Sequence, residues 1–200
     1  MLFIAIRVLL LAVLVLLSFF ILKHSKVTNR KLCIALVIVI CVFAVTVTGM
    51  IPPENAFITF KTPEAVCQYI AVGDVEAIVA GELSACVIYK TAPGEYSHCI
   101  APKTADGYKI PTYFYREKMS QKVDGPGVFT IYHAKNTNDY YVFATILSNG
   151  GELLKVYDPT GELMETNGVI FGRTDFQCVY VQNLSKDCYT TINGENVPLG

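Results

Sequence analysis

The sequence predicts a membrane-anchored protein, a two-helix transmembrane hairpin followed by a mainly-β domain with one short helix. The β domain is expected as an antiparallel sandwich or barrel-like meander. Three observations carry this. Two apolar runs, 2–22 and 32–51, hold a single charge between them, Arg7. The bridge between them, 23–31, carries Lys23, Lys26, Arg30 and Lys31 and no acid. Beyond Pro52, short segments rich in Val, Ile, Tyr and Phe alternate with turn residues.

A bilayer core of roughly 30 Å needs about 20 apolar residues of helix, and both runs have that length. A soluble helix keeps a polar face for water, which neither run does. In lipid the helix satisfies its own backbone groups. A cleaved secretory signal would have a charged start, a shorter apolar stretch and small residues at the cut. Here Ile21-Leu22-Lys23-His24 offers no small-x-small site, so the run is expected to be retained as an anchor. Arg7 lies near the chain start, where its long stem is expected to snorkel to the interface.

Basic loops stay on the cytoplasmic side. Lys23, Lys26, Arg30 and Lys31 therefore act as topology determinants and direct residues 62–200 outside the cytoplasm, across the plasma membrane. Residues 1–51 hold five bases and no acids, and 52–200 hold eleven bases and seventeen acids, a net charge of −6. Nucleic-acid binding needs clustered Lys and Arg, so that partner class is excluded. The bilayer itself is the one partner the pattern names.

Pro52-Pro53-Glu54-Asn55 ends the second helix and opens a stiff connector, 52–61. Thr62-Pro63-Glu64 is a helix start, with a hydroxyl cap, proline at the first position and an acid in the first turn. Val66, Tyr69 and Ile70 share one face, and Gly73 closes the segment. From Val75 the period becomes that of strands, expected at 75–80, 83–90, 96–101, 109–114, 128–135, 140–147, 153–157, 169–171, 176–182 and 188–192. Turns are expected at Ala92-Pro93-Gly94, Asn136–Asp139, Asn149-Gly150-Gly151, Asp158–Gly161 and Asn193-Gly194. Many short strands at regular spacing read as an antiparallel sandwich or meander. Segments starting at Val75, Val128 and Phe176 echo one another, each opening a strand that continues into a second.

Five of the seven cysteines lie in the β region, Cys67, Cys86, Cys99, Cys178 and Cys188. An odd number leaves no complete disulfide framework. A four-residue turn at Thr91–Gly94 sets Lys90 opposite Glu95 and Cys86 opposite Cys99, a separation a bridge can span. Cys178 and Cys188 flank a second hairpin. Buried reduced thiols are the competing reading. No C-x-x-C pair occurs, so no structural zinc site is expected.

No catalytic motif is present, and the sequence nominates no catalytic, cofactor-binding or metal-binding residue. His98 and Cys99 are neighbours on a strand, so their side chains point to opposite faces. His133 is a lone strand histidine. The densest aromatic stretch, 108–116, offers Tyr108, Tyr113 and Tyr115 as a contact surface, or as ordinary strand residues covering a core. The sequence thus supports a non-catalytic extracytoplasmic module binding an envelope protein, a wall polymer or a small ligand. One alternative is an accessory subunit of a larger membrane complex, with Ala44, Thr46, Thr48 and Gly49 as a close-contact face. Another is an enzyme built on His133.

Overall fold

The structure is a computed structural model. It describes residues 2–24, 30–71, 73–124, 127–146, 151–172, 176–192 and 195–199. Two units are distinguished, Met1–Ala56 and Phe57–Gly200.

The first unit contains α1 (Leu2–His24), α2 (Arg30–Met50) and a 3-10 turn at Pro53–Ala56. Within α1 the stretch Ile6–His24 is long and apolar enough to cross a membrane, and Ile34–Met50 is a shorter apolar helix. Large side chains such as Phe19, Phe20 and Phe43 project outward instead of filling a core. Arg7 has a partner inside this unit. Its Nε lies 3.7 Å from Oε1 of Glu54, whose side chain is fully buried. A buried carboxylate needs compensation from hydrogen-bond donors or an opposite charge, and Arg7 on α1 supplies that charge to the Pro-Pro-Glu-Asn segment. Thr46 and Thr48 donate to the carbonyls of Val42 and Ala44 on their own helix.

The second unit is mainly antiparallel β structure. Helix α3 (Pro63–Ile70) begins as its sequence predicts, with the Thr62 hydroxyl accepting from the Ala65 N–H at 3.2 Å. Strands β1 (Asp74–Ala80), β2 (Ser84–Ala92), β3 (Glu95–Thr104) and β4 (Gly107–Tyr108) form a first sheet in sequence order. A second sheet has the order β5-β6-β7-β10-β9, from β5 (Arg116–Asp124), β6 (Gly127–Ala134), β7 (Asp139–Ile146), β9 (Thr166–Phe171) and β10 (Phe176–Gln182). A third, small sheet has the order β12-β11-β8, from β8 (Val156–Tyr157), β11 (Tyr189–Ile192) and β12 (Glu195–Pro198).

Alternation along the strands explains how these sheets stack. Val79, Cys86, Ile88 and Ile100 of the first sheet meet Tyr141, Phe171 and Cys178 of the second. The opposite face of the second sheet, Phe129, Ile131, Val142, Val179 and Val181, is covered by Val156, Ile192 and Val197 of the third. The outer face of the first sheet lies under α3, where Val66 and Cys67 pack on Ala101, Val87 and Cys99. The second sheet is thus apolar on both faces, as a layer covered twice must be.

Several expectations change. Residues 109–114 form no strand but lead into a turn, and β5 replaces them. Its sequence, Arg116–Asp124, carries four charged residues before Val123 (Arg116, Glu117, Lys118 and Lys122), because it is an edge strand with one face toward water. Of 153–157 only Val156–Tyr157 pairs. The echo among segments holds for β1–β2 and β6–β7, which pair with each other. In the third segment β11 follows β10 in the chain, but the two do not pair: β10 pairs with β7 and β9 while β11 joins another sheet. Asn149-Gly150 and Asn193-Gly194 lie outside the described residues.

The expected Cys86–Cys99 opposition is overturned by one residue of register. Cys86 pairs with Ile100 and Val87 with Cys99, so the two thiols leave opposite faces of the sheet. The cause is the hairpin. Pro93 and Gly94 alone make the corner, with Gly94 at φ 79°, and a register shift between Lys90 and Ala92 leaves Thr91 as the extra residue. A one-residue slip exchanges faces along the whole strand. Both cysteines are free, as are Cys67, Cys178 and Cys188.

Candidate functional site

Where the turn between β1 and β2 approaches β9, β10 and the segment after β8, the surface opens into a groove of about 540 Å³. Its lining includes Glu82, Asp158, Glu162, Glu165, Asn167, Tyr180 and Gln182, with Leu163 and Met164 as apolar floor. Four carboxylates face this space, and no Lys, Arg or His is among its described lining residues.

Local chemistry fixes each wall. Oδ1 of Asp158 accepts from the Thr160 N–H at 2.8 Å, the Thr160 hydroxyl at 2.7 Å and the Glu162 N–H at 2.9 Å. This turn is the one the Asp-Pro-Thr-Gly sequence predicts. The Thr160 hydroxyl first, then the backbone donors, hold the carboxyl below its ordinary range, so it stays ionised. On the opposite wall Gln182 Nε2 donates to Oε2 of Glu82. Asn167 Nδ2 donates to the Ala80 carbonyl at 3.3 Å, joining the edges of the first two sheets.

Behind the groove lies a buried polar cluster. Asp139, 1 % exposed, accepts from the Ser84 hydroxyl at 2.6 Å, the Leu83 N–H at 2.9 Å and the Tyr180 hydroxyl at 3.0 Å. Because Ser84 gives its proton to Asp139, the Tyr141 hydroxyl, 2.8 Å away, donates to Ser84. Gly81 permits this approach, since a Cβ there would lie 2.8 Å from Asp139 Oδ2 and from the Tyr141 hydroxyl. Burial, and then the hydrogen bond to Asp139, push the Tyr180 phenol up to about 12. Tyr180 therefore remains a neutral donor at the groove's back wall. The cluster binds the β1–β2 turn to the second sheet and sets where Glu82 stands.

A second cavity of about 170 Å³ lies between the first two sheets, lined by Tyr96, His98, Phe143, Phe171 and Phe176 among others. Arg116 Nη1 donates to His98 Nε2 at 3.0 Å, and its guanidinium stands 5.1 Å over the Tyr132 ring. Burial foremost, then the Arg116 charge, lower His98 to about 3. It is thus a neutral spacer between the Tyr132 and Phe143 rings, each 4.5 Å away.

The residues singled out in the sequence are dispersed. Cys99 lies under α3, away from His98, as strand alternation requires. Cys86 and Cys178 pack in the same core between the two sheets, and burial foremost raises the Cys86 thiol well above the ordinary value. His133 is occupied by the Thr137 carbonyl at 2.9 Å and by stacking on Tyr140, with Glu117 at 3.8 Å. Tyr108 packs beside α3 and Tyr115 against the inter-sheet core, both half-buried, while Tyr113 is exposed. Lys23 lies in the last turn of α1 and Lys31 is exposed near the start of α2, whose first residue is Arg30; Lys26 lies outside the described residues. No group of three or more His, Cys, Asp or Glu with metal-binding geometry occurs among the described residues. The groove acids escaped the sequence reading, since they come from segments some 80 residues apart and carry no shared motif.

No family model matches the chain, and neither curated proteins nor solved structures give a match, so the functional reading rests on the groove's own chemistry.

Proposed function

We propose that this is an integral membrane protein presenting a non-catalytic binding module outside the cytoplasm, and that the module takes a positively charged ligand. In this reading α1 and α2 cross the bilayer as an antiparallel hairpin with the Lys23–Lys31 bridge in the cytoplasm. The Arg7–Glu54 contact supports it, because it brings the start of α1 beside the exit of α2, as a hairpin requires. The observation that carries the binding reading is the 540 Å³ groove with four carboxylates and no cation in its described lining. Low-dielectric walls focus such a field and attract amines or basic peptide segments. The neutral Tyr180 hydroxyl and the amides of Asn167 and Gln182 add hydrogen-bonding direction.

Two measurements test this. Protease added to intact spheroplasts should digest a C-terminal tag; a tag that is cut only after lysis reverses the topology. Calorimetric titration of the detergent-solubilised full chain with an oligolysine peptide should give saturable heat, weakened about tenfold by Glu82→Gln with Glu165→Gln. Binding that is unchanged by those substitutions moves the site away from the groove.

A further inference from the structure

We propose that Tyr113 and Phe114 form a lipid-contacting tip that rests the β unit on the headgroup region of the membrane. The inference rests on the membrane reading above. At this turn, residue type and position conflict. The Tyr115 N–H donates to the Thr112 carbonyl at 3.0 Å, which makes Tyr113 and Phe114 the two corners of a tight turn. Turn corners ordinarily carry Gly, Pro, Asn, Asp or Ser. Here they carry two aromatic rings that are 73 % and 55 % exposed and meet edge to face at 5.3 Å.

The base of the turn is held firmly. Ile110 is buried against Val66 and Ala101, and Tyr115 packs into the inter-sheet core. The rings are therefore presented by an anchored frame and stay largely in solvent. Isolated exposed apolar residues need no explanation, whereas two large rings side by side at one turn tip form a small exposed apolar patch.

The tip is tied closely to the segment that follows α2. Phe60 and Tyr108 exchange backbone hydrogen bonds of 2.9 and 2.7 Å, and Lys109 Nζ donates to the Ile58 carbonyl at 2.8 Å. The segment bearing the turn is thus bound to residue 58, eight positions beyond Met50, the last residue of α2. That stretch includes the 3-10 turn and spans at most about 24 Å. Phe57, in the same stretch, is 71 % exposed. A tether this short leaves the tip within reach of the bilayer that, in this reading, the helix leaves. Tyrosine, with an apolar ring and a polar end, suits the zone between headgroups and acyl chains. Lys61, exposed beside Phe60, adds attraction to anionic lipid.

The chain contains no tryptophan, which makes the test direct. Full-length variants Tyr113→Trp and Phe114→Trp, reconstituted in phosphatidylcholine–phosphatidylglycerol vesicles, are compared with Phe43→Trp in α2 and Leu163→Trp on the groove. With bromine placed high on the acyl chains, emission from the two turn variants should fall at least about twofold, and Leu163→Trp should hold its intensity. Phe43→Trp should be quenched by deep bromine. If Phe43→Trp is quenched while both turn variants are not, the tip proposal is overturned and the anchor stands. Quenching at Leu163→Trp equal to that of the turn variants also overturns it. If Phe43→Trp is not quenched, the anchor reading fails and the tip proposal with it.

Discussion

Arg116 and His98 meet nose to nose, a guanidinium N–H donating to the imidazole Nε2 across 3.0 Å. Two cationic side chains share this spot only while the imidazole is neutral, so the fold selects one protonation state and one tautomer.

Stability should therefore depend on pH through His98. Unfolded histidine takes up a proton below about 6.5, whereas the folded state stays neutral down to about 3. Between these values the unfolded chain binds more protons, so acid favours unfolding and stability falls as pH drops below about 6.5. The expected slope is at most about 1.4 kcal/mol per pH unit. Urea titrations at pH 7 and pH 5 should show this loss, reduced in His98→Gln. Equal slopes in both proteins would mean His98 ionises normally.

Asp139 holds three donors in the interior, and removing its charge should be costly. Asp139→Asn turns an amide N–H₂ toward groups that themselves donate, with an expected loss of about 2–4 kcal/mol. Ser84→Ala should cost less, since Leu83 and Tyr180 still reach the carboxylate. Urea midpoints order the two; a reversed order would make Ser84 the hub.

Gly107 opens β4, beside the point where Tyr108 pairs with Phe60. Its φ is 141°, and a Cβ would lie 2.2 Å from the Phe60 carbonyl oxygen. Gly107→Ala should lose about 2 kcal/mol or more, whereas Gly94→Ala, with open space around it, should suffer only from its φ of 79°. Comparable losses for the two would show that Phe60 gives way.

The five thiols of the β unit should resist modification. Cys67, Cys86, Cys99, Cys178 and Cys188 are all buried, and burial raises Cys67 to about 11. Maleimide should leave them unlabelled in the native protein and label them all in guanidinium. Peptide mapping after mild oxidation should find no Cys86–Cys99 crosslink.

Local period and local chemistry determined much of this protein from the sequence alone. The apolar runs, the Thr62 cap, the Asp158 turn and most central strands follow from residues within a few positions of one another. Charge hid β5, because an edge strand spends one face on water and so loses the apolar alternation that reveals its neighbours. Only the tertiary structure decided the rest. One extra residue at Thr91 turned Cys86 and Cys99 to opposite faces. Burial of Asp139, which reads as an ordinary turn residue, depended on Ser84 and Tyr180 arriving from distant strands. The groove exists because Glu82 and Glu165 are brought to one surface by sheet edges that meet late in the chain. Spacing along a chain reports what a residue's neighbours in sequence do, whereas a site is made by neighbours in space, and those are chosen by how the layers stack.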